Sequence, residues 1–230
     1  MDKGKKLTAD IRDGKIKGAI FDLDGVLLDS MTIWTDLGER YLAMHGIEAE
    51  EGLAEILFSM SMEQGAEYLV TNYPLAETAA QAGDGIREML RDFYYNEVGA
   101  KRGAEELLRG IAARGIRITA ATSSPRGHVE AALERNGLLQ YIPKIFTSAE
   151  VGSSKHTPEI YDAAASYMET QRGETLVFED SLYALETAAA AGYHTVGVFD
   201  AAGEADQEGL RVKAEIYIKS LGEFVDRANL

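Results

Sequence analysis

The chain has 230 residues, of which 46% are hydrophobic, and it carries a formal charge of −15 at pH 7 and no cysteine. This length and apolar content allow one or two packed domains and exclude disorder as the main state. The acidic charge disfavours nucleic-acid and acidic-membrane surfaces, which need clustered Lys and Arg, and the lack of cysteine excludes disulfides, thiolate zinc sites and cysteine nucleophiles.

The first 18 residues are polar and basic, with no apolar run behind them. We interpret them as a short polar lead-in rather than a signal peptide or a membrane-spanning helix. No apolar stretch elsewhere is long enough to span a bilayer. We therefore expect a soluble protein of the reducing cytoplasm, a monomer or weak homodimer, whose partner is a small molecule.

Six short apolar runs rich in β-branched residues predict buried strands, and helical patterns lie between them. This alternation predicts an α/β fold with a parallel sheet. The predicted strands are residues 19–23, 116–121, 145–147, 175–178, 195–199 and 216–218. The clearest predicted helices are residues 104–114, 128–136, 158–169 and 181–191.

One long interval breaks the alternation after the first strand. Residues 30–99 carry helical patterns, with a turn predicted at residues 83–85, and no convincing strand. About 70 residues are far more than a normal crossover connection needs, so we predict a separate helical domain here. The α/β core domain then consists of residues 1–29 and 100–230.

Two carboxylates, Asp22 and Asp24, follow the first predicted strand and precede Gly25. Residues two apart on an extended chain share a face, and the carboxyl end of a parallel strand is where open α/β sheets bind ligands. Neighbouring carboxylates suit a hard divalent cation. An acidic turn exposed to solvent explains the same pattern, and the run alone leaves both readings open.

Three further polar groups follow later predicted strands. The hydroxyls of Thr122 and Ser123 suit either a phosphate oxygen or a helix cap. Lys155 lies in a loop before a predicted helix, where it can enter a cleft or remain a solvated charge. Glu179 and Asp180 again place two acids directly after a buried strand, as a cation site or as a cap for the next helix.

In this order the motifs D-x-D-G, T-S-S, S-K-x-x-P-E and E-D-S resemble those of the haloacid dehalogenase-like superfamily, over about residues 17–218. The resemblance implies a Rossmann-like core, and it implies that residues 30–99 are a helical cap. Caps of this kind are typical of the subfamily that includes phosphoglycolate phosphatases, β-phosphoglucomutases and dehalogenases.

The resemblance also implies roles for individual residues. Asp22 is the nucleophile that forms an aspartyl-phosphate, and Asp24 protonates the leaving alcohol and then activates water. Lys155 bridges phosphate and nucleophile, while Thr122 and Ser123 contact the phosphoryl oxygens. The implied cofactor is Mg²⁺, with the following ligands: Asp22, the Asp24 main-chain carbonyl, Asp180, and Glu179 as a ligand or a hydrogen-bond acceptor beside it.

Several reactions run on this kind of core. Carbon–halogen cleavage needs neither metal nor leaving-group protonation, and its branch lacks the second Asp, so Asp24 disfavours it. A phosphomutase rebinds a doubly phosphorylated intermediate, yet residues 30–99 hold only three arginines against 13 Asp and Glu. Trp34 also stands where the mutase has His. We therefore predict a Mg²⁺-dependent phosphatase of a small phosphorylated metabolite, with a β-phosphoglucomutase-like mutase as the alternative.

Two departures from the family pattern keep the substrate open. Lys101 and Arg102 precede Gly103 where relatives commonly carry Pro-Gly, and His156 replaces a common Pro after Lys155. A catalytically silent binding module on the same fold is a further alternative, since a fold alone does not establish activity. The presence of all the side chains that the chemistry needs counts against it.

Overall fold

The computed structural model of the chain describes residues 3–58 and 60–230, with the side chain of residue 58 left aside. The chain forms two compact units, which we call the core unit (Met1–Ser30 and Val98–Leu230) and the helical unit (Met31–Glu97). These boundaries lie close to the ends of the predicted insertion at residues 30–99. Among the described residues, no helix is both long and apolar enough to cross a membrane.

The core unit contains a six-stranded, all-parallel sheet with the strand order β3-β2-β1-β4-β5-β6. All six predicted strands are present within one or two residues, and the predicted α/β class is confirmed. The strands are β1 Gly18–Phe21, β2 Arg117–Thr122, β3 Ile145–Thr147, β4 Thr175–Glu179, β5 His194–Val198 and β6 Ile216–Ile218.

The strand order explains where a ligand site forms. The chain winds outward from β1 through β2 to β3, and then crosses back to place β4 on the other side of β1. The loops after β1 and β4 therefore diverge, which opens the crevice that such sheets use for ligands. Phe21 of β1 pairs with Phe178 of β4, and their rings stack 4.4 Å apart. The residues that follow these two phenylalanines emerge side by side.

Helices on the sheet's faces bury its apolar side chains. Ile20 and Val177 of the central strands pack with Ile160, Tyr161 and other side chains in one fully buried cluster. The helices that follow the first strand in the core unit are α6 Ala104–Ala113, α7 Arg126–Arg135, α8 Ser148–Val151, α9 Glu159–Tyr167, α10 Leu182–Ala191, α11 Gln207–Lys213 and α12 Leu221–Ala228. The 3₁₀ turns are Leu139–Tyr141 and Arg172–Glu174.

The interpretation of the N-terminus as a polar lead-in is wrong, because it contains a helix, α1 Lys3–Arg12. Leu7 and Ile11 are both buried and lie one turn apart, so they form a narrow apolar stripe on an otherwise basic segment. The helix packs against α12 and β6. Two apolar residues were too few to stand out in the sequence.

The helical unit packs its helices around a core of its own, which includes Tyr41, Leu42, Leu69 and Ile86. Two of its helices begin with reciprocal capping boxes, in which Ser61 pairs with Gln64 and Thr78 with Gln81. The helices are α2 Ile33–Met44, α3 Leu53–Phe58, α4 Met62–Asn72 and α5 Ala79–Asp92, and a π-helical turn Phe93–Glu97 follows α5.

The turn predicted at residues 83–85 is wrong, because these residues lie inside α5. Gly83 is buried in the unit's core region. A Cβ at Gly85 would lie 2.7 Å from the Tyr41 hydroxyl. The glycines therefore provide room for close helix packing, and the capping box at Thr78 starts the helix before them.

Candidate active site

Three charged side chains meet at the carboxyl ends of β1 and β4. The Lys155 ammonium lies 2.5 Å from Asp22 Oδ1 and 2.8 Å from Glu179 Oε1. All three side chains are buried. Tyr161 donates a hydrogen bond of 2.8 Å to the same Glu179 oxygen. Asp22 itself is held by its backbone N–H, which donates to the Phe178 carbonyl. The sequence-predicted Asp22, Lys155 and Glu179 thus form one buried cluster.

The cluster carries more negative than positive charge. Burial raises the pKa of Asp22 well above its usual range, Lys155 opposes this rise, and the charges of Glu179 and Asp180 add to it. Burial also raises the pKa of Asp180 to about 7, with the Glu179 charge as the next cause. Burial lowers the pKa of Lys155, but the charges of Asp22 and Glu179 outweigh it and raise the pKa overall. Lys155 therefore stays an ammonium.

The donor set fits a hard divalent cation. Carboxylate oxygens of Asp22, Glu179 and Asp180 lie within 4.8 Å of one another. Glu179 Oε2 and Asp180 Oδ2 are buried and have no hydrogen-bond partner. A Cβ at Gly203 would lie only 2.7 Å from Asp180 Oδ2, so the glycine keeps a side chain out of this space. Buried, unpaired carboxylate oxygens are costly unless a cation or water satisfies them.

Asp24 lies in a different environment, surrounded by hydroxyl groups. Ser30 donates to its Oδ1 over 2.6 Å, and Ser124 donates to its Oδ2 over 2.6 Å. The Thr122 hydroxyl lies 3.5 Å from the same Oδ2 and accepts a hydrogen bond from the Ser124 backbone N–H. These contacts fix the direction of the Asp24 carboxylate. The two aspartates of the D-x-D run are therefore held by different chemistry, Asp22 by an ammonium and Asp24 by hydroxyls.

A comparison with known proteins agrees with this geometry. The model for the haloacid dehalogenase-like hydrolase family matches residues 19–198. The chain belongs to that family. The predicted family membership is confirmed, and the match spans the segments that carry Asp22, Thr122, Lys155 and Asp180.

Several relatives of this chain are named as phosphatases. The validoxylamine A 7'-phosphate phosphatase of Streptomyces hygroscopicus subsp. limoneus is 28% identical over 219 residues, which cover 90% of this chain and 95% of that protein. The probable pseudouridine-5'-phosphatase of Drosophila melanogaster is 30% identical, over 81% of this chain and 83% of that protein. Family and relatives confirm the predicted enzyme class, a phosphoric monoester hydrolase.

The fold is also that of solved structures in the family. A putative β-phosphoglucomutase from Thermotoga maritima superposes with a TM-score of 0.81 at 22% identity, and the match covers 92% of this chain and 97% of that one. At this identity the match supports the fold, and it does not choose between hydrolysis and a mutase reaction. Haloacid dehalogenase-like phosphatases generally use a divalent metal, which agrees with the buried acidic cluster.

Two predicted phosphate contacts are placed differently from each other. Thr122 is fully buried at the end of β2, next to Asp24. The Ser123 hydroxyl instead lies 3.3 Å from the Ser148 hydroxyl, and Ser124 is the residue of this run whose hydroxyl donates to Asp24 over 2.6 Å. The roles of both residues toward phosphate stay predictions.

Sequence reasoning missed Ser30, Ser124 and Tyr161 as residues of this family site. Ser124 belongs to the quoted T-S-S run and lies two residues after Thr122, whereas Ser30 is separated from Asp24 by a turn, so alternation along the chain does not predict its contact. Tyr161 lies inside α9, where its spacing predicts only a core residue. Its contact with Glu179 depends on the packing of α9 against the sheet, which no local pattern encodes.

Proposed function

We propose that this family member is a Mg²⁺-dependent phosphatase that hydrolyses a small phosphorylated metabolite through an aspartyl-phosphate on Asp22. One observation carries the proposal. Asp22 is a buried carboxylate in contact with Lys155, beside carboxylate oxygens of Glu179 and Asp180 that have no protein partner. A structural ion pair needs no such surplus of buried acid.

Mg²⁺ would be held by Asp22, Asp180 and the main-chain carbonyl of Asp24, with Glu179 as a further ligand or an acceptor for a bound water. When bound, it supplies positive charge that offsets the negative charge of the cluster and of the phosphate ester. Tyr161 and Lys155 both occupy Glu179 Oε1, so Oε2 is the atom left for this task.

Asp22 attacks phosphorus with a carboxylate oxygen, and the bond from phosphorus to the ester oxygen breaks. Lys155 favours the ionised, attacking form of Asp22, since its ammonium lies 2.5 Å from Oδ1. The same ammonium can donate to a phosphoryl oxygen, which places a fixed positive charge where negative charge collects during transfer. The buried position of Lys155 limits competing hydration.

Asp24 gives a proton to the leaving alcohol oxygen and later takes one from the water that attacks the acyl phosphate. The contacts with Ser30 and Ser124 hold its carboxylate in one orientation. Thr122 and Ser123 would bind the remaining phosphoryl oxygens at the end of β2.

Hydrolysis is favoured over the mutase reaction by the charges of the helical unit, whose role as a cap is part of this proposal. Each of its three arginines is paired within the unit. Arg40 contacts Asp36 and Glu97, and the other two contact Asp84 and Glu88 respectively. An arginine that held a second phosphate, as a mutase requires, would have to give up its acidic partner.

The names of the relatives suggest the kind of ester. Validoxylamine A 7'-phosphate and pseudouridine 5'-phosphate are both monoesters of hydroxyl-rich small molecules. We propose a substrate of that class for this chain. A cytoplasmic location and a monomeric or weakly dimeric state remain predictions.

Phosphate release from p-nitrophenyl phosphate tests the activity. We expect release with Mg²⁺, none above background in EDTA, and a loss of about 10³-fold or more in Asp22→Asn, which keeps the shape of the side chain but not the nucleophile. Asp13→Asn, an exposed aspartate of the same unit, is the matched control and should retain wild-type rates. Absence of metal-dependent release across a broad panel of phosphate esters would refute the proposal.

Hexose 1-phosphates separate the two reactions. A phosphatase gives free phosphate and no 6-phosphate isomer, and we expect that result. An isomer that appears faster than phosphate would establish the mutase reaction instead.

A further inference from the structure

Lys101 makes three converging contacts in the core unit, and none of them belongs to the reaction described above. Its ammonium donates to the Gly25 carbonyl over 2.5 Å and to the Phe199 carbonyl over 3.0 Å. It also lies 2.6 Å from Asp200 Oδ2. An ammonium has three N–H donors, and here each has an acceptor within hydrogen-bond distance. The side chain thus joins the loop after β1 to the loop after β5.

The two ends of this contact lie next to proposed metal ligands. Gly25 directly follows Asp24, whose main-chain carbonyl is one proposed ligand. Asp200 is almost completely buried, and its Oδ1 accepts a hydrogen bond from the Ala202 backbone N–H, which folds the loop over itself. The backbone at Gly203 then approaches Asp180 Oδ2 so closely that a Cβ there would lie 2.7 Å away.

The same loop also contacts the start of α10. Glu204 Oε2 accepts a hydrogen bond of 2.8 Å from the Leu182 backbone N–H, two residues after Asp180. The loop of residues 199–204 is therefore held at one end by Lys101 and at the other end by α10. Gly203, which lies between these two attachments along the chain, is the residue that approaches Asp180.

We propose that Lys101 is a positioning residue for the metal site. Through its contacts with Gly25 and Asp200, it holds the loop after β1 and the loop beside Asp180 at a fixed separation. This inference rests on the proposed function. It deepens that function by assigning a role to a residue that is neither a proposed metal ligand nor a proposed catalytic group.

An ordinary surface ion pair would have different properties. Such pairs are exposed and contribute little, because both side chains lose freedom and water competes for them. Here the Lys101 side chain is 15% exposed and that of Asp200 is 6% exposed. Two of the three acceptors are backbone carbonyls, so the contact fixes the chain itself and not only a side chain. Mutation of a group that orients metal ligands commonly lowers metal affinity by about 10-fold to 100-fold.

Mg²⁺ binding measured by calorimetry tests the inference without reference to turnover. In Lys101→Met the dissociation constant should rise about 10-fold, and kcat with p-nitrophenyl phosphate should fall while KM changes little. Lys17→Met is the matched control, because Lys17 is an exposed lysine that also donates to a backbone carbonyl, that of Gly14. It should bind Mg²⁺ like the wild type.

A double variant separates positioning from charge. Lys101→Met also removes a positive charge and leaves the Asp200 carboxylate without it, which by itself favours Mg²⁺ binding and offsets part of the loss of positioning. In Lys101→Met/Asp200→Asn the unpaired negative charge is gone as well but the two loops are still not joined, so the weak binding should persist. Wild-type Mg²⁺ affinity in the double variant would overturn the positioning role.

Asp200→Asn alone keeps the two carbonyl contacts of Lys101 and provides a milder variant in case Lys101→Met unfolds. We expect its Mg²⁺ affinity to lie between those of the wild type and Lys101→Met. Unchanged affinity in both single variants, with melting temperatures in EDTA that show a folded protein, would overturn the inference alone. A wild-type protein that binds no Mg²⁺ would refute the metal dependence in the proposed function as well.

Discussion

Acidic side chains are buried at the carboxyl edge of the sheet, whereas in the helical unit they form exposed ion pairs. At the sheet edge, Asp22, Glu179 and Asp180 are buried around one lysine, and two of their oxygens have no partner. In the helical unit the ion pairs are at least partly exposed, and several join residues three or four apart on one helix, as Arg87 does with Asp84.

This difference indicates where stability has been given up for function. Surface pairs on a helix contribute a few tenths of a kcal/mol and cost little if lost. Buried acids that repel one another destabilise the folded chain unless something of opposite charge binds between them. The acidic composition of the chain thus has two origins, a solvated helical surface and a small buried site.

The largest effect in this comparison should come from a metal-ligand candidate. Asp180→Asn should weaken Mg²⁺ binding at least about 10-fold and remove most of the rise in melting temperature that Mg²⁺ gives the wild type. Asp84→Asn in the helical unit is the matched change and should leave both unchanged. Equal effects of the two variants on Mg²⁺ binding would contradict the contrast between the regions.

Tyr161→Phe probes the support of the buried site. The variant removes the hydroxyl that donates to Glu179 Oε1 and leaves that oxygen with Lys155 alone. We expect a loss of about 1–2 kcal/mol in the free energy of unfolding, measured with urea in EDTA. Tyr141→Phe is the control, since this tyrosine donates to Glu105 at a more exposed position. A similar loss of free energy of unfolding in both variants would show that burial of the acceptor does not strengthen the contribution of the hydrogen bond.

His194, at the start of β5 on the opposite edge of the sheet, offers a paired titratable group for comparison. The hydrogen bond with Glu215 raises the pKa of His194 above its usual 6.5, and burial opposes this only in part. The folded state therefore holds the proton more tightly than the unfolded state. The resulting stabilisation is fully present below about pH 6.5 and is lost as pH rises through the raised folded-state pKa.

The free energy of unfolding of the wild type and of His194→Gln checks this. The wild type should be more stable than His194→Gln at pH 5.5. This difference in the free energy of unfolding should be larger at pH 5.5 than at pH 9 by up to about 1 kcal/mol. A difference between the two proteins that is independent of pH would contradict the raised pKa. Because His194 lies outside the proposed site, the ratio of Mg²⁺-dependent phosphatase rates of the two folded proteins should not change over this range.

The smallest effect should come from Arg91→Gln in the helical unit. Its pair with Glu88 is exposed, so the free energy of unfolding should change by no more than about 0.5 kcal/mol. Phosphatase activity should stay near that of the wild type, because the pair leaves Arg91 no role toward phosphate in our account. A large rise in KM would instead favour a phosphate-binding cap and reopen the mutase alternative.

Much of the fold could be predicted because parallel strands that are buried on both faces form continuous apolar runs in the sequence. The site residues Asp22, Lys155, Glu179 and Asp180 could be found for the same reason, since each follows such a strand or its loop. The stripe of Leu7 and Ile11 and the packing at Gly85 were missed, because two apolar residues or one glycine acquire meaning only from the helix packed against them.

The contacts that orient Asp24 and that join the loops after β1 and β5 were not predicted from the sequence. Ser124 lies 100 residues from Asp24, and Lys101 lies 98 residues from Phe199. Such pairs are set by the sheet order and the register, which place separate loops side by side after the chain has folded. Sequence reasoning identified the groups that carry charge, and the structure adds those that orient them.

The most direct test of the central claim is to trap the phosphoenzyme. In Asp24→Asn the Asp22 carboxylate can still accept a phosphoryl group from p-nitrophenyl phosphate, whose leaving group needs little protonation, but the second step lacks its base. After acid quenching of a Mg²⁺ reaction, mass spectrometry should find phosphate on the peptide that contains Asp22, with none in Asp22→Asn/Asp24→Asn. Retained turnover of Asp24→Asn with no phosphorylated peptide at any time point would contradict the assigned roles of both aspartates.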